Sequence, residues 1–355
     1  MEKLGAVSEI IAGQSPPSST YNQIGEGLPF YQGKADFGEW FPKTRMWCSV
    51  PVKISQPGDV LISVRAPVGP TNLCQETSCI GRGLGAIRAK PKMLDSHYLI
   101  HFLRSNESKI ASLGRGSTFS AITRGDLEDI QIPLPPLAEQ KRIAAILDKA
   151  DAIRRKLQQS LRLSDDFLRS VFLDMFGDPV TNPKGFPKAV LGEIIKLKSG
   201  NSLVAKDMTE GGLYPVYGGN GINGYHDSFM FEKPMIVLGR VGAYCGVVHY
   251  TLPKSWITDN ALYVETMKKK MEPIYLVDAL RFANLNQYAG QAGQPLISGG
   301  RVYPVEILDV SPDLQASYAA IVTKTQTKIQ KSTALLQEAE SLFSSLQQRA
   351  FRGEL

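Results

Sequence analysis

The chain is written twice, and that repetition limits what it can fold into more than any other feature of its 355 residues. DVLISVRAPVG, residues 59–69, returns as PMIVLGRVGAY, residues 234–244, each a short apolar strand running into Arg and Gly. CIGRGLGAIRA at 79–89 is followed one repeat later by WITDNALYVE at 256–265. DSHYLIHFLRSNESKIASLG at 95–114 matches EPIYLVDALRFANLNQYAG at 272–290. Both read as helices, with start signals at Asp95 or Ser96 and at Pro273 after Glu272, and closing glycines at Gly114 and Gly290. A Gly, Ser and Gln loop follows each helix, GRGSTFSAITRGD and QAGQPLISGGR, and leads into a strand, LEDIQIPLPP and VYPVEILDVSP. The offset holds at 175 to 177 residues, as from Tyr98 to Tyr275, Arg104 to Arg281 and Ile146 to Ile321. A register kept over five segments is not chance, and while about 150 residues per domain allows two or three folding units, the repeat favours two.

Each copy closes on a long helical pattern. In the first, Ile143, Ile146, Ala150, Ile153, Leu157, Leu161, Leu168, Val171 and Met175 recur at three, four or seven residues, which describes one apolar stripe. Ile321, Ile329, Leu335, Leu336, Leu342, Phe343 and Leu346 do the same in the second. At about 1.5 Å per residue each helix is roughly 55 to 60 Å long, so the two are expected to bury their stripes on each other as an antiparallel pair. The expected architecture is α/β with an internal tandem duplication. A globular domain at 1–135 is followed by a long helix at 136–178, and a second at 179–311 by a long helix at 312–355. Residues 1–11 are expected to close near the second helix.

Composition excludes some classes and favours others weakly. No apolar run approaches the roughly 18 residues of a membrane span, and MEKLGAVSEI lacks a signal-peptide core, so a cytoplasmic location is expected. Cys48, Cys74, Cys79 and Cys245 are too few and too unevenly divided for a disulfide framework. The net charge of +6 suits a polyanion, but residues 1–136 carry 14 basic and 12 acidic groups and residues 178–312 carry 13 and 12. Folding would have to gather the cations on one face.

The junction IPLPPLAEQKRIAAILDKADAIRRK, Ile132 to Lys156, resembles the start of the central region of type I restriction-modification specificity subunits. GLPFYQGKADFG and YPVYGGNGINGYHDSF resemble target-recognition segments of the same family, and the likeness spans essentially the whole chain in the same order of parts. DVSPDLQASYAAIVTK, the second junction, departs from the PLPPLAEQ form and reads as divergence of the second copy. The resemblance implies two target-recognition domains that dock on double-stranded DNA, each reading half of a split, asymmetric site. It also implies that the helices act as spacer and as platform for two copies of a methyltransferase subunit, with a motor-nuclease subunit outside them.

The residues themselves offer no catalytic set. An adenine methyltransferase needs Asn or Asp followed by Pro-Pro and an aromatic residue to hold a flipped base, and no such tetrad occurs. Gly33-Lys34-Ala35 fails the spacing and the hydroxyl of a phosphate-binding loop. Gly219, Gly221 and Gly224 spell GxGxxG, yet the Asn220-Gly221 and Asn223-Gly224 pairs make the segment a polar turn rather than a helix start, and no cofactor is expected. Cys74, Cys79, His97 and His101 have loose zinc spacing, but the interval is long and Trp256 stands where the second copy would need a ligand, so no metal is expected. Glu107-Ser108-Lys109 reads as a solvated helix face.

Candidates for DNA contact lie on loops beside strands and helix ends. They are Arg65, Arg82, Arg88, Arg115, Ser117, Thr118 and Arg124 in the first copy, and Asn220, Asn223, Arg240, Gln291, Gln294 and Arg301 in the second. Arg clamps guanine with two hydrogen bonds, while Asn and Gln clamp adenine. The competing role for each is a phosphate contact without sequence content. Two rival functions are a fragment of a single-chain restriction or modification enzyme and a coiled-coil adaptor without DNA affinity. The missing catalytic motifs oppose the first, and the large duplicated domains oppose the second.

Overall fold

The computed structural model describes residues 1–114, 121–290 and 295–355. The chain divides into two compact units, one formed by Met1–Gln158 with Ala334–Leu355 and the other by Gln159–Thr333. Each long helix, Leu137–Phe176 and Pro312–Arg352, thus gives one half to each unit rather than standing apart as a whole. Among the described residues no helix is long and apolar enough to cross a membrane.

Unit 1 is built on a four-stranded antiparallel sheet in the order Ser8–Ala12, Leu84–Ala89, Val60–Ser63, Thr71–Leu73. Unit 2 repeats it as Ile195–Ser199, Ala261–Met267, Ile236–Gly239, Val248–Tyr250. The runs VLIS and IVLG have all four residues buried because each strand has neighbours on both edges and is covered on both faces. A second sheet in each unit, five-stranded in unit 1 and three-stranded in unit 2, contains one parallel pair, Phe30↔Cys79 and Tyr31↔Ile80 in unit 1, Val216↔Trp256 and Tyr217↔Ile257 in unit 2. Glu2–Lys3 pairs with Gln131–Ile132 and Lys188–Val190 with Glu306–Leu308, so the first strand of each repeat is tied to the strand that precedes a long helix.

The helix Ser96–Ser105 starts where expected, with the Asp95 carboxylate accepting from the His97 and Tyr98 amides at 3.0 Å. Its counterpart, Pro273–Phe282, has proline in the first turn. Tyr98 and Tyr275 are fully buried, and their hydroxyls donate to Pro133 O at 3.0 Å and Leu308 O at 2.7 Å.

The long helices pack differently from the stripe read in the sequence. In unit 1, Arg142 reaches Leu355 O at 2.8 Å, Arg154 lies over Phe343 and Gln158 donates to Glu340 at 3.3 Å, which makes the two segments antiparallel. Their buried face holds Gln140, Ile143, Ala144, Leu147 and Asp151, whereas Ile153, placed in the stripe by periodicity, is 49% exposed. In unit 2, Phe172 and Phe176 pack on Tyr318, while Ile321 is 37% exposed and Leu335 and Leu342 in unit 1 more so. The face that is buried includes Gln and Asp, so apolar periodicity alone misplaces it.

Candidate nucleic-acid interface

Three of the predicted arginines come together in unit 1. Arg65, Arg82 and Arg124 line one cleft of ≈ 300 Å³ whose floor includes Ile10, Leu84, Ile122 and Leu127. Arg65 leaves the end of strand Val60–Ser63 and is bridged to Ala121. Arg82 sits in the turn before strand Leu84–Ala89, with its backbone amide and Nε donating to Ser15 Oγ at 3.3 and 3.4 Å. That turn is closely packed: a Cβ on Gly13 would lie 2.2 Å from Gly81 O and one on Gly83 2.2 Å from Gln32 O. Arg124 opens the short helix Arg124–Glu128, capped by the Thr123 hydroxyl, and bonds Glu128 at 2.6 Å while 61% exposed. Among the described residues, Arg65 and Arg82 have no ion-pair partner and both are exposed. Three arginines from three chain segments line this cleft, one of them paired with Glu128, a grouping of cations that composition could not show.

Arg88 does not join them. Its guanidinium bonds both oxygens of buried Asp59 at 2.9 Å and approaches Glu9 at 3.5 Å, so its donors are spent inside the unit. Arg115, Ser117, Thr118, Gln291 and Gln294 lie outside the described residues.

In unit 2 the sites are more dispersed. Asn220 is exposed at the turn of a hairpin formed by Tyr214–Gly218 and Gly221–His226, and Asn223 is exposed on the second strand. Gly221 takes φ +90° there, and the GxGxxG segment is a β-hairpin with no helix following it, which removes the geometry that cradles a pyrophosphate. The turn lies against the Gly239–Val241 segment, since a Cβ on Gly219 would be 3.5 Å from the Gly239 Cα. Arg240 is on that segment, half-buried, donating to Ser199 Oγ at 3.1 Å and Asp259 O at 3.3 Å. Arg301 is exposed in the helix Gly299–Val302, its guanidinium lying against Gly290.

Two arrangements went unread in the sequence. Gln140, fully buried, accepts from the Asp95 amide at 3.0 Å and donates to Met93 O and Pro135 O at 2.9 Å. Gln315, 175 residues on, accepts from the Glu272 amide at 2.7 Å and donates to Val310 O at 2.8 Å. Both glutamines therefore clamp the start of a long helix to the cap of the preceding helix, and the second junction keeps the first one's function despite its different sequence. The repeat offset was the signal that could have found them.

The other arrangement surrounds Trp40, which is 5% exposed and donates from Nε1 to buried Asp151 at 2.6 Å. Arg104 lies 4.4 Å from its ring centroid and His97 stacks at 5.9 Å. His97 and His101 do not turn toward the cysteines; each bonds one oxygen of Asp148 at 2.8 Å. Burial alone would raise the Asp148 pKa, but the bonds and charges of His101 and His97 outweigh it and hold the carboxyl well below the usual range, while the bond to Asp148 raises His97. The four cysteines are buried free thiols, Cys74 bonded to Ser55, Ser78 and Glu76 O.

With this geometry in hand, the type I restriction modification DNA specificity domain matches the chain twice, over residues 1–163 and 183–340. The chain belongs to that family. A Methanocaldococcus jannaschii protein provisionally named as the type I restriction enzyme MjaX specificity subunit is 45% identical over 168 residues, 46% of this chain and 40% of that protein. The Escherichia coli type I restriction enzyme EcoprrI specificity subunit is 26% identical over 296 residues, 78% of this chain and 73% of that protein. The crystal structure of the type I restriction-modification S subunit from M. genitalium superposes with a TM-score of 0.76 at 18% identity, covering 99% of this chain and 95% of that one, which shows a shared fold. As a specificity-family chain, this one carries the family's domain in tandem, and its two copies correspond to the two sheets described above.

Proposed function

We propose that this specificity-family chain reads a bipartite, asymmetric double-stranded DNA site, one half with each unit, and itself makes and breaks no covalent bond. The observation that carries the reading is one repeated frame bearing two different sets of polar side chains. Arg65, Arg82 and Arg124 stand where the second copy has Val241, Asp259 and Gly299, and Arg240 stands where the first has Val64. Identical frames with unlike donors and acceptors suit two unlike base sequences, because base edges are told apart by their hydrogen-bonding pattern. Within this reading residues 1–135 and 179–311 are the readers, and the helices at 136–178 and 312–355 are the spacer that positions two methyltransferase subunits and a motor-nuclease subunit, in the cytoplasm where the DNA is.

The test has two arms. Assayed alone with S-adenosylmethionine, ATP, magnesium and DNA, the pure chain gives no methyl transfer, ATP hydrolysis or cleavage; adding a methyltransferase subunit gives site-specific methylation. Exchanging residues 1–130 for those of a relative then changes one half-site only. Turnover by the pure chain would favour the single-chain enzyme, and absence of any DNA binding in the complex would favour the adaptor.

A further inference from the structure

Trp40 fills a place in unit 1 that is empty in unit 2. In unit 1 the indole is enclosed by Arg104, His97, His101 and Asp151, and the segment that carries it runs along the edge strand, with the Leu73 amide donating to Trp40 O at 2.8 Å. The repeat sets Arg281 at the place of Arg104, Asp278 at His101, Gln326 at Asp151 and Leu168 at Phe343. Those four line a cleft of ≈ 670 Å³ in unit 2, together with Asp165, Asp166, Arg169, Phe282, Asn284 and Tyr318. Arg104 is half-buried under its indole, whereas the Arg281 side chain is 48% exposed.

The cause is in the sequence between the matched elements. Tyr31 and Tyr217 occupy the same position in the second sheets, but the next strand of the four-stranded sheet starts at Val60 in unit 1 and Ile236 in unit 2, so unit 2 has ten fewer residues there. The shorter stretch forms the hairpin Gly221–His226 and supplies no counterpart of the Trp40 segment. Among the described residues, no backbone hydrogen bond reaches the edge strand Val248–Tyr250 from outside its own sheet.

The donors and acceptors that held the indole survive in altered form. Arg281 keeps the bond of its predecessor, donating to Val248 O at 3.2 Å as Arg104 does to Thr71 O, and its guanidinium, paired with Asp278 at 2.9 Å, lines the cleft. Arg169, 5.5 Å from the Phe282 ring centroid, adds a second cation, and Asp165 and Asp166 at the rim replace the buried carboxylate that took the indole N–H. A ring held between guanidinium groups, with its N–H facing a carboxylate, matches a tryptophan in charge as well as in size.

We propose that this cleft is a docking slot for a tryptophan on an extended segment of a partner protein, which completes unit 2 as Trp40 completes unit 1. The inference deepens the subunit reading and rests on it: the partner is the methyltransferase subunit seated on the long helices. N-acetyl-tryptophanamide, titrated into the full chain and followed by ligand-observed NMR, binds saturably, and N-acetyl-alaninamide does not. Gln326→Trp, which fills the slot from the helix, abolishes that binding while thermal unfolding shows the fold intact. The same variant weakens association with the methyltransferase subunit by roughly 30-fold, the effect of losing one buried aromatic anchor. Should Gln326→Ala, which leaves the slot open, weaken association as much as Gln326→Trp, or should the probe bind Gln326→Trp as well as it binds the wild type, the slot is no aromatic site. A wild-type chain that assembles with no methyltransferase subunit refutes the subunit reading instead, and the amide titration still decides the chemistry of the cleft.

Discussion

The two units share a frame and differ in how they bolt the long helices to it. Unit 1 uses charge: His101 and His97 on one helix grip Asp148 on another, and Trp40 plugs the gap against Asp151, Arg154 and Arg155. Unit 2 has Asp278 where unit 1 has His101, and the bond is made by Tyr318 donating to it at 2.7 Å beneath a stack of Phe172, Phe176, Tyr275 and Phe282. The two glutamine clamps are common to both. What a duplicated fold preserves here is the closure of buried backbone groups, which tolerates no unpaired donor, whereas the side chains that fill the space between helices are exchangeable provided each polar group finds a partner.

The comparison can be broken most sharply at Trp40. Trp40→Ala removes a buried aromatic and one of the hydrogen bonds to Asp151, which keeps Arg154 and Arg155, and should cost about 3–5 kcal/mol of stability. Hydrogen exchange should place the loss in unit 1 and leave unit 2 protected; equal loss in both would mean the units do not fold as separate bodies. Next in size, Gln140→Ala leaves a backbone amide and two carbonyls without their partner and Gln315→Ala an amide and one carbonyl, at about 2–3 kcal/mol apiece. If the clamps are equivalent, the two variants lower the unfolding midpoint in urea by similar amounts, and a harmless Gln315→Ala would show that the second junction has lost its role.

Smaller effects concern DNA. Arg65→Ala and Arg82→Ala should each weaken binding of the assembled enzyme by about 1–2 kcal/mol and relax sequence preference at one half-site only, read by mapping methylated positions. A uniform loss across all sequences would reassign them to phosphate contact. The smallest effect is on pH. His97 has a raised pKa in the folded state, so its contribution is fully present below about pH 6.5 and is lost as pH rises through the higher folded value. Asp148 is depressed, so its contribution holds above the ordinary carboxylate range and fails only in strong acid. Because His97 is 46% exposed, solvent screening leaves a few tenths of a kcal/mol at most. Unit 1 should therefore soften slightly between pH 6 and 8, and His97→Gln should flatten that slope; unit 2, with Ile274 at that position, should show none from this source.

The sequence by itself determined the duplication, the presence of the two long helices, the capped helices at Asp95 and Pro273, and the strands that run into Arg65 and Arg240. All of these rest on local signals: caps, glycines, periodicity and an internal offset. Tertiary structure alone decided that Arg65, Arg82 and Arg124 share a cleft while Arg88 is bound to Asp59, because partners 29 residues apart leave no trace in either local pattern. It also decided which face of each long helix is buried. Gln140, Asp151 and Gln315 are polar by type, so periodicity counts them as solvent-facing, yet each is almost fully enclosed. Only the folded chain brings the amides, carbonyls and indole N–H within 2.6 to 3.0 Å of them, and that proximity is what lets a polar group be buried at all.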